Sequence, residues 1–171
     1  MEQSTGTNLM AKLCAGGVRL RDQIDRKWPK RDKRSDGWIG DSDHAARKSD
    51  HNPDAEGIVY ALDIDENLGQ GPARNGRTAK KLADQIIEYA MSDLLGHNRI
   101  KYVIYENQIA SGSHSGAWWK WRGKGYGHTQ HIHISFTQAA KRDSTIYPLP
   151  ILTNNPAKKI AWSRALKNAR K

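Results

Sequence analysis

Three of the chain's seven histidines fall within six residues, in His128-Thr129-Gln130-His131-Ile132-His133-Ile134-Ser135-Phe136. From His131 onward the residues alternate with the period of a β-strand. His131, His133 and Ser135 share one face, and Ile132, Ile134 and Phe136 the other. A single histidine on a strand is most simply a polar residue facing solvent. A cluster backed by an apolar face is how a protein holds a transition metal at the edge of a cleft. The other ligands must come from elsewhere, and ligand-type residues do lie upstream. His51 stands among turn formers, and Asp63 follows it by twelve residues near the end of the run Ile58 to Asp65, a strand by its β-branched and aromatic content. Asp65 shares the face of Asp63, and two carboxylates on an otherwise apolar strand face need a positive partner to be buried. The ligand candidates are therefore His51, Asp63 with Asp65 as its alternative, and His131 or His133. Two imidazoles and a carboxylate, with a fourth position left for water, is the composition of a catalytic zinc site, here one Zn2+ per chain. Such a zinc brings the pKa of its water down to about 7 and polarises a carbonyl for attack.

The surrounding chain must position these groups. Val18 to Trp28 carries the spacing of an amphipathic helix that Pro29 ends, and Lys30 to Gly37 reads as a solvated charged loop. Residues 1 to 16 read as a loose lead-in. Asp41 to Arg47 suggests one or two helical turns capped by Asp41 or Ser42. Thr78 to Leu95 predicts a long packing helix with Gly96 after its end, Ile100 to Tyr105 a strand, and Glu106-Asn107-Gln108 a turn into Ile109-Ala110. Between residues 111 and 127, Trp118, Trp119, Trp121 and Tyr126 alternate with Lys120, Arg122 and Lys124. These aromatics either line a substrate groove or close over the core. The pattern predicts an α+β fold, a small antiparallel sheet flanked by helices. The main domain spans residues 1–142 with a core at 17–137. A linker covers 143–155 and a basic helix 156–171, with Asn155 as cap and Pro156 in the first turn.

Composition narrows the classes. With 171 residues, 37% of them hydrophobic, and six Trp and six Tyr, the chain suits one folded domain. No apolar run approaches the roughly 20 residues of a membrane span. The start, Met1 to Asn8, lacks the pattern of a secretory signal, so synthesis in a cytoplasm is expected. Cys14 is the only cysteine, which excludes an intrachain disulfide and a Cys-rich zinc site. A formal charge of +10 predicts attraction to polyanions such as nucleic acid, anionic membrane or an acidic cell wall.

Ser49-Asp50-His51, then Gly57, then Ala61-Leu62-Asp63, then His131-Ile132-His133, resembles the Ser-x-His…Gly…Ala-x-Asp…His-x-His signature of the zinc D-alanyl-D-alanine carboxypeptidase and L-alanyl-D-glutamate endopeptidase family. That family shares its fold with hedgehog signalling domains. The version with His128-Thr129-x-His131-x-His133 looks most like the peptidase domains of bacteriophage and actinobacterial cell-wall lysins. The resemblance covers roughly residues 17 to 137. It implies that His51, Asp63 and His133 hold zinc, with His131 close by as a transition-state stabiliser. It also implies a monomeric endolysin-like peptidase. Such a protein would hydrolyse an amide of the peptidoglycan stem peptide or cross-bridge with zinc-activated water, reaching the wall after a holin-type release.

The sequence departs from the family in two ways. Many members carry a glutamate three residues before the last ligand, where this chain has Gln130, and no Asp or Glu occurs between Glu106 and Asp143. The general base is then His128 or His131, since an imidazole with a pKa near 6.5 exchanges a proton at neutral pH. The His51 to Asp63 spacing is also longer than usual, which an extended hairpin around Pro53 to Gly57 would absorb. Arg47 and His44, with Trp119, Trp121 and Tyr126, are the candidates for substrate binding.

Other classes fit less well. Asp50-His51-Asn52-Pro53 resembles the opening of an HNH nuclease motif, but no histidine follows before His97 to complete it. A two-histidine phosphoesterase needs a second His-x-Ser or His-x-Thr strand upstream, and none of His44, His51, His97 or His114 lies in one. A specific nucleic-acid partner is therefore not expected. A non-catalytic zinc-binding wall-recognition module stays open as the alternative.

Overall fold

The strand His131–Phe136 lies inside the main sheet, paired on both edges, and only His131 at its start keeps part of its surface open. The computed structural model describes residues 10–40, 48–69, 72–92, 98–113 and 116–153, with the side chains of 72–75 left aside. In chain order the elements are β1 (Lys12–Leu13), α1 (Ala15–Lys27), β2 (Ile58–Val59), β3 (Ala61–Asp65), α2 (Pro72–Ser92), β4 (Ile100–Tyr105), β5 (Gln108–Ser111) and β6 (His131–Phe136). Two short 3-10 turns, Gln138–Lys141 and Pro150–Leu152, follow. The main sheet has four antiparallel strands in the order β3-β6-β4-β5, and β1 pairs in parallel with β2. This is the α+β class with a small antiparallel sheet.

The apolar face of β6 builds the core. Ile132, Ile134 and Phe136 join Leu62 and Ile64 of β3, Leu20 and Ile24 of α1, and Leu82 and Ile86 of α2 in one buried cluster. Each such aliphatic side chain contributes about 1.5–3 kcal/mol on burial. Truncating Ile134 to Ala would cost about 2–5 kcal/mol, because so tight a site cannot collapse. On the opposite face register does the positioning. Asp63 of β3 lies directly across from His133, and Asp65 across from His131. A one-residue slip would send each of these side chains to the wrong side.

The structure corrects several sequence expectations. Ile58 to Asp65 is two strands, because the Tyr60 N–H leaves the ladder to donate to the Asp50 carbonyl at 3.0 Å. The lead-in is partly ordered: Lys12–Leu13 is a strand, and α1 starts at Ala15. There Gly16 passes so close to residues 140 and 147 that an added Cβ would stand 2.9 Å from the Ala140 Cβ and the Tyr147 Oη. α2 starts at Pro72, whose fixed φ suits a first turn. Within Lys30 to Gly37, Lys30, Lys33 and Arg34 are exposed, as expected of a solvated loop, but Arg31 is not. The Arg31 side chain is fully buried between Asp25 (2.7 Å) and Asp36 (2.5 Å). Asp36 Oδ1 also accepts from the Asp65 N–H.

Residues 143–153 are not a free spacer. Tyr147 and Leu149 are buried in the core, and the buried Arg99 guanidinium donates to the Thr145 carbonyl at 2.6 Å while lying 3.9 Å over the Tyr147 ring. The rest of the expected linker, the helix at 156–171, and the turns at Asp41 to Arg47 with His44 and Arg47 lie outside the described residues.

Candidate metal centre

Three side chains from three parts of the chain meet on the polar face of β6. His51 comes from the turn before β2, Asp63 from β3 and His133 from β6 itself. Each backbone is pinned. Asp63 exchanges two hydrogen bonds with Gly37, its N–H donating to the Gly37 carbonyl at 2.7 Å, and the Gly40 N–H donates to the His51 carbonyl at 3.0 Å. The expected hairpin between the two ligands is present: Asp54 and Ile58 bond across it, and Gly57 adopts φ +76°. The structure groups Asp63, and not Asp65, with His51 and His133. Asp65 turns away, its Oδ2 accepting from Ser35 and its Oδ1 from the Asn67 N–H.

The outer nitrogens of the two imidazoles are already occupied. His51 Nδ1 lies 3.1 Å from the Trp38 carbonyl, which can only accept, so Nδ1 carries the proton and Nε2 the lone pair. His133 Nε2 lies 3.0 Å from Ser135 Oγ. Ser135 in turn bonds to the Asp50 carboxylate, which Lys101 also contacts at 2.7 Å. In the tautomer in which Ser135 donates to Asp50 and accepts from His133 Nε2, the Nδ1 lone pair faces inward, as a metal ligand requires. His51 Nε2, His133 Nδ1 and the Asp63 carboxylate converge with separations of 3.2 Å (Nε2 to Nδ1), 3.3 Å (Nε2 to Oδ2) and 2.9 Å (Nδ1 to Oδ1). Without a metal, ring protons shared with Asp63 hold the three groups together; a divalent cation takes the place of those protons. Zinc bonds of about 2.0–2.1 Å at the tetrahedral angle place ligand atoms about 3.3 Å apart, so the donor set fits that ion.

The electrostatics run the same way. Burial opposes a charge on Asp63, yet hydrogen bonding and charge interaction with His133 and His51 hold its carboxyl well below the usual range. Burial disfavours a charged His51 ring, but Asp63 lifts it above its ordinary value. In His133 burial wins over Asp63, and the ring is held below its ordinary value. Tyr102 stacks on His133, with ring centroids 5.5 Å apart and planes inclined by 20°, which fixes the imidazole's tilt.

One alternative uses the same atoms. Ser135 Oγ, His133 and Asp63 are spaced like a Ser-His-Asp triad. A nucleophile must reach substrate, whereas Ser135 has no exposed surface. Its position suits an orienting group.

The other predicted residues form an outer layer. His131 is half-buried, with Nε2 3.7 Å from Asp63 Oδ1, and the His128 ring lies 4.8 Å from that of His131 and 5.1 Å from that of His133. His128 adopts φ +58°, and its carbonyl accepts from the Glu106 N–H in the β4–β5 turn. Glu106 and Asn107 both have positive φ, the requirement of a tight two-residue hairpin turn, so the hairpin tip sets where His128 sits. Gln130 is exposed, and its carbonyl accepts from the Ser35 hydroxyl. Of the expected substrate aromatics, Tyr126 is exposed two residues from His128. Trp119 is instead buried in the core, and Trp121 packs beside it with its indole N–H donating to Asp84 at 2.8 Å. Both are spent on packing, while the neighbouring Trp118 is half-exposed.

Sequence reasoning missed Ser135 and Asp50 as orienting groups, and the Trp38 carbonyl altogether. Ser135 was traceable, standing on the face of His133 two residues on; a backbone carbonyl leaves no trace in residue types. Set against family models, curated proteins and solved structures, the chain matches none.

Proposed function

We propose that the chain is a zinc-dependent peptidase of bacterial cell walls, with a hedgehog/DD-peptidase-like fold, acting as a monomeric endolysin-like domain. The proposed reaction is hydrolysis of an amide in the peptidoglycan stem peptide or cross-bridge, after the protein leaves the host cytoplasm. The observation that carries the reading is the convergence of three metal-ligand atoms, from His51, Asp63 and His133, with both imidazoles held from outside. The paired motifs in the sequence and the charge of +10, suited to an acidic wall, support it further.

Zinc bound by these residues supplies Lewis-acid polarisation of the scissile carbonyl and lowers the pKa of water to about 7. The chain's own groups do the rest. Asp63, held ionised, offsets the positive charge at the centre. His128 and His131 stand on the more open side, where one takes the proton of the attacking water and the other stabilises the developing oxyanion. The protonated imidazole then delivers its proton to the leaving amine. Burial and the neighbouring His128 and His51 hold His131 below its ordinary value against the pull of Asp63, which keeps the ring neutral and able to accept a proton. Tyr126 and Trp118 are the exposed aromatics nearest in sequence to this side and suit contact with a peptide or sugar face.

The test is a zymogram on purified cell walls beside a plasmid-nicking assay, each with and without chelator. Wall clearing that chelator abolishes and zinc restores is the expected result. Chelator-insensitive clearing, or nicking without clearing, would overturn the reading.

A further inference from the structure

We infer that Asp63, His128 and His131 form a second, weaker seat for a divalent cation beside the first. Its donor atoms, one from each residue, all lie within 4.8 Å of one another, the same closeness that defines the inner triad. The two seats share only Asp63. Its Oδ2 faces His51 at 3.3 Å, while Oδ1 lies 2.9 Å from His133 Nδ1 and, on its other side, 3.7 Å from His131 Nε2. A carboxylate bridging two cations about 3.5–4 Å apart is ordinary coordination chemistry.

His128 supplies the independent observation. Its Nδ1 lies 2.6 Å from the Tyr126 carbonyl, which can only accept, so Nδ1 is protonated and Nε2 keeps the lone pair. The outward commitment of one ring nitrogen seen at His51 and His133 is thus repeated at a third imidazole, and at a residue held in the left-handed region, φ +58°. An ordered, singly partnered imidazole is a prepared ligand.

The seats differ in depth. His51 and His133 are buried, whereas His128 and His131 are partly exposed, so an ion in the outer seat keeps water ligands and leaves more readily. Resting on the function proposed above, a consequence follows for turnover. An ion in the outer seat occupies the lone pairs of His128 and His131 that proton transfer requires, so zinc beyond one equivalent lowers the rate.

The test titrates the metal-free full chain with zinc, and separately with cobalt(II), reading stoichiometry by calorimetry and visible absorption. Two equivalents are expected, one tight and one at least tenfold weaker. His128→Gln and His131→Gln should each abolish the weak one and leave the tight one, with unchanged circular dichroism showing that the fold survives. Saturation at one equivalent would overturn the second seat alone, and so would a weak equivalent that persists in both variants. Absence of the tight equivalent would instead overturn the peptidase reading.

Discussion

The inner and outer histidines differ in what holds them. His51 and His133 are buried, and each has its outward nitrogen occupied, by the Trp38 carbonyl and by Ser135. His128 and His131 are half-exposed, and His128 depends on a hairpin tip and a glycine-rich approach in which Gly123, Gly125 and Gly127 all adopt positive φ. Rigid, pre-oriented imidazoles suit binding an ion, and accessible ones suit exchanging protons with substrate. Four chemically identical side chains thus acquire separate tasks from their surroundings.

The largest effect should come from breaking the inner pair. His133→Ala or Asp63→Ala is expected to remove tight zinc and reduce wall hydrolysis to the level of the chelated protein; metal content and turnover, measured together, check this. At the outer pair, His128→Ala and His131→Ala should leave tight zinc in place, with the proton-transferring residue costing about 10²–10⁴-fold in rate. Unchanged rates in both would erase the distinction. Ser135 sharpens it further. Ser135→Ala should weaken zinc affinity about 10–100-fold, with turnover restored at saturating zinc. Loss of turnover that zinc cannot restore would make Ser135 a nucleophile.

Smaller effects test the support behind the inner pair. Arg31→Met leaves Asp36 without its cation and Asp25 with Lys33 alone, and should destabilise the fold by about 2–4 kcal/mol, less than a fully buried pair because both carboxylates keep some solvent. Urea unfolding reads this directly. Last, burial opposes ionisation of Asp25, but Lys33 and Arg31 outweigh it and hold the carboxyl below its ordinary 3.8. A depressed folded-state pKa contributes stability that is complete above the unfolded value and lost as pH falls through the folded one. The native protein should therefore lose stability below about pH 4, and Asp25→Asn should flatten that part of the curve.

The difference between the two layers also explains how much was legible in the sequence. Alternation in His131 to Phe136 gave the strand and its faces, because one face must meet the core. The same logic gave Asp63, although its choice over Asp65 needed the register that sets it opposite His133. What could not be read depends on long-range contacts. Arg31 looks like one charge among many until Asp25 and Asp36 enclose it, and Trp119 looks like a groove aromatic until its ring is found in the core. Residues 143–153 lack a period because single anchors, Tyr147 and Leu149, hold them. Periodicity reports regular elements; it is silent about segments fixed by one or two side chains.

The most direct measurement is the zinc content of purified protein after dialysis against a weak chelator, for the native chain and for the His51→Ala/His133→Ala double variant. One tightly held equivalent in the native chain and none in the double variant is the expected result. A native chain without zinc, or an equivalent that survives loss of both histidines, would contradict it.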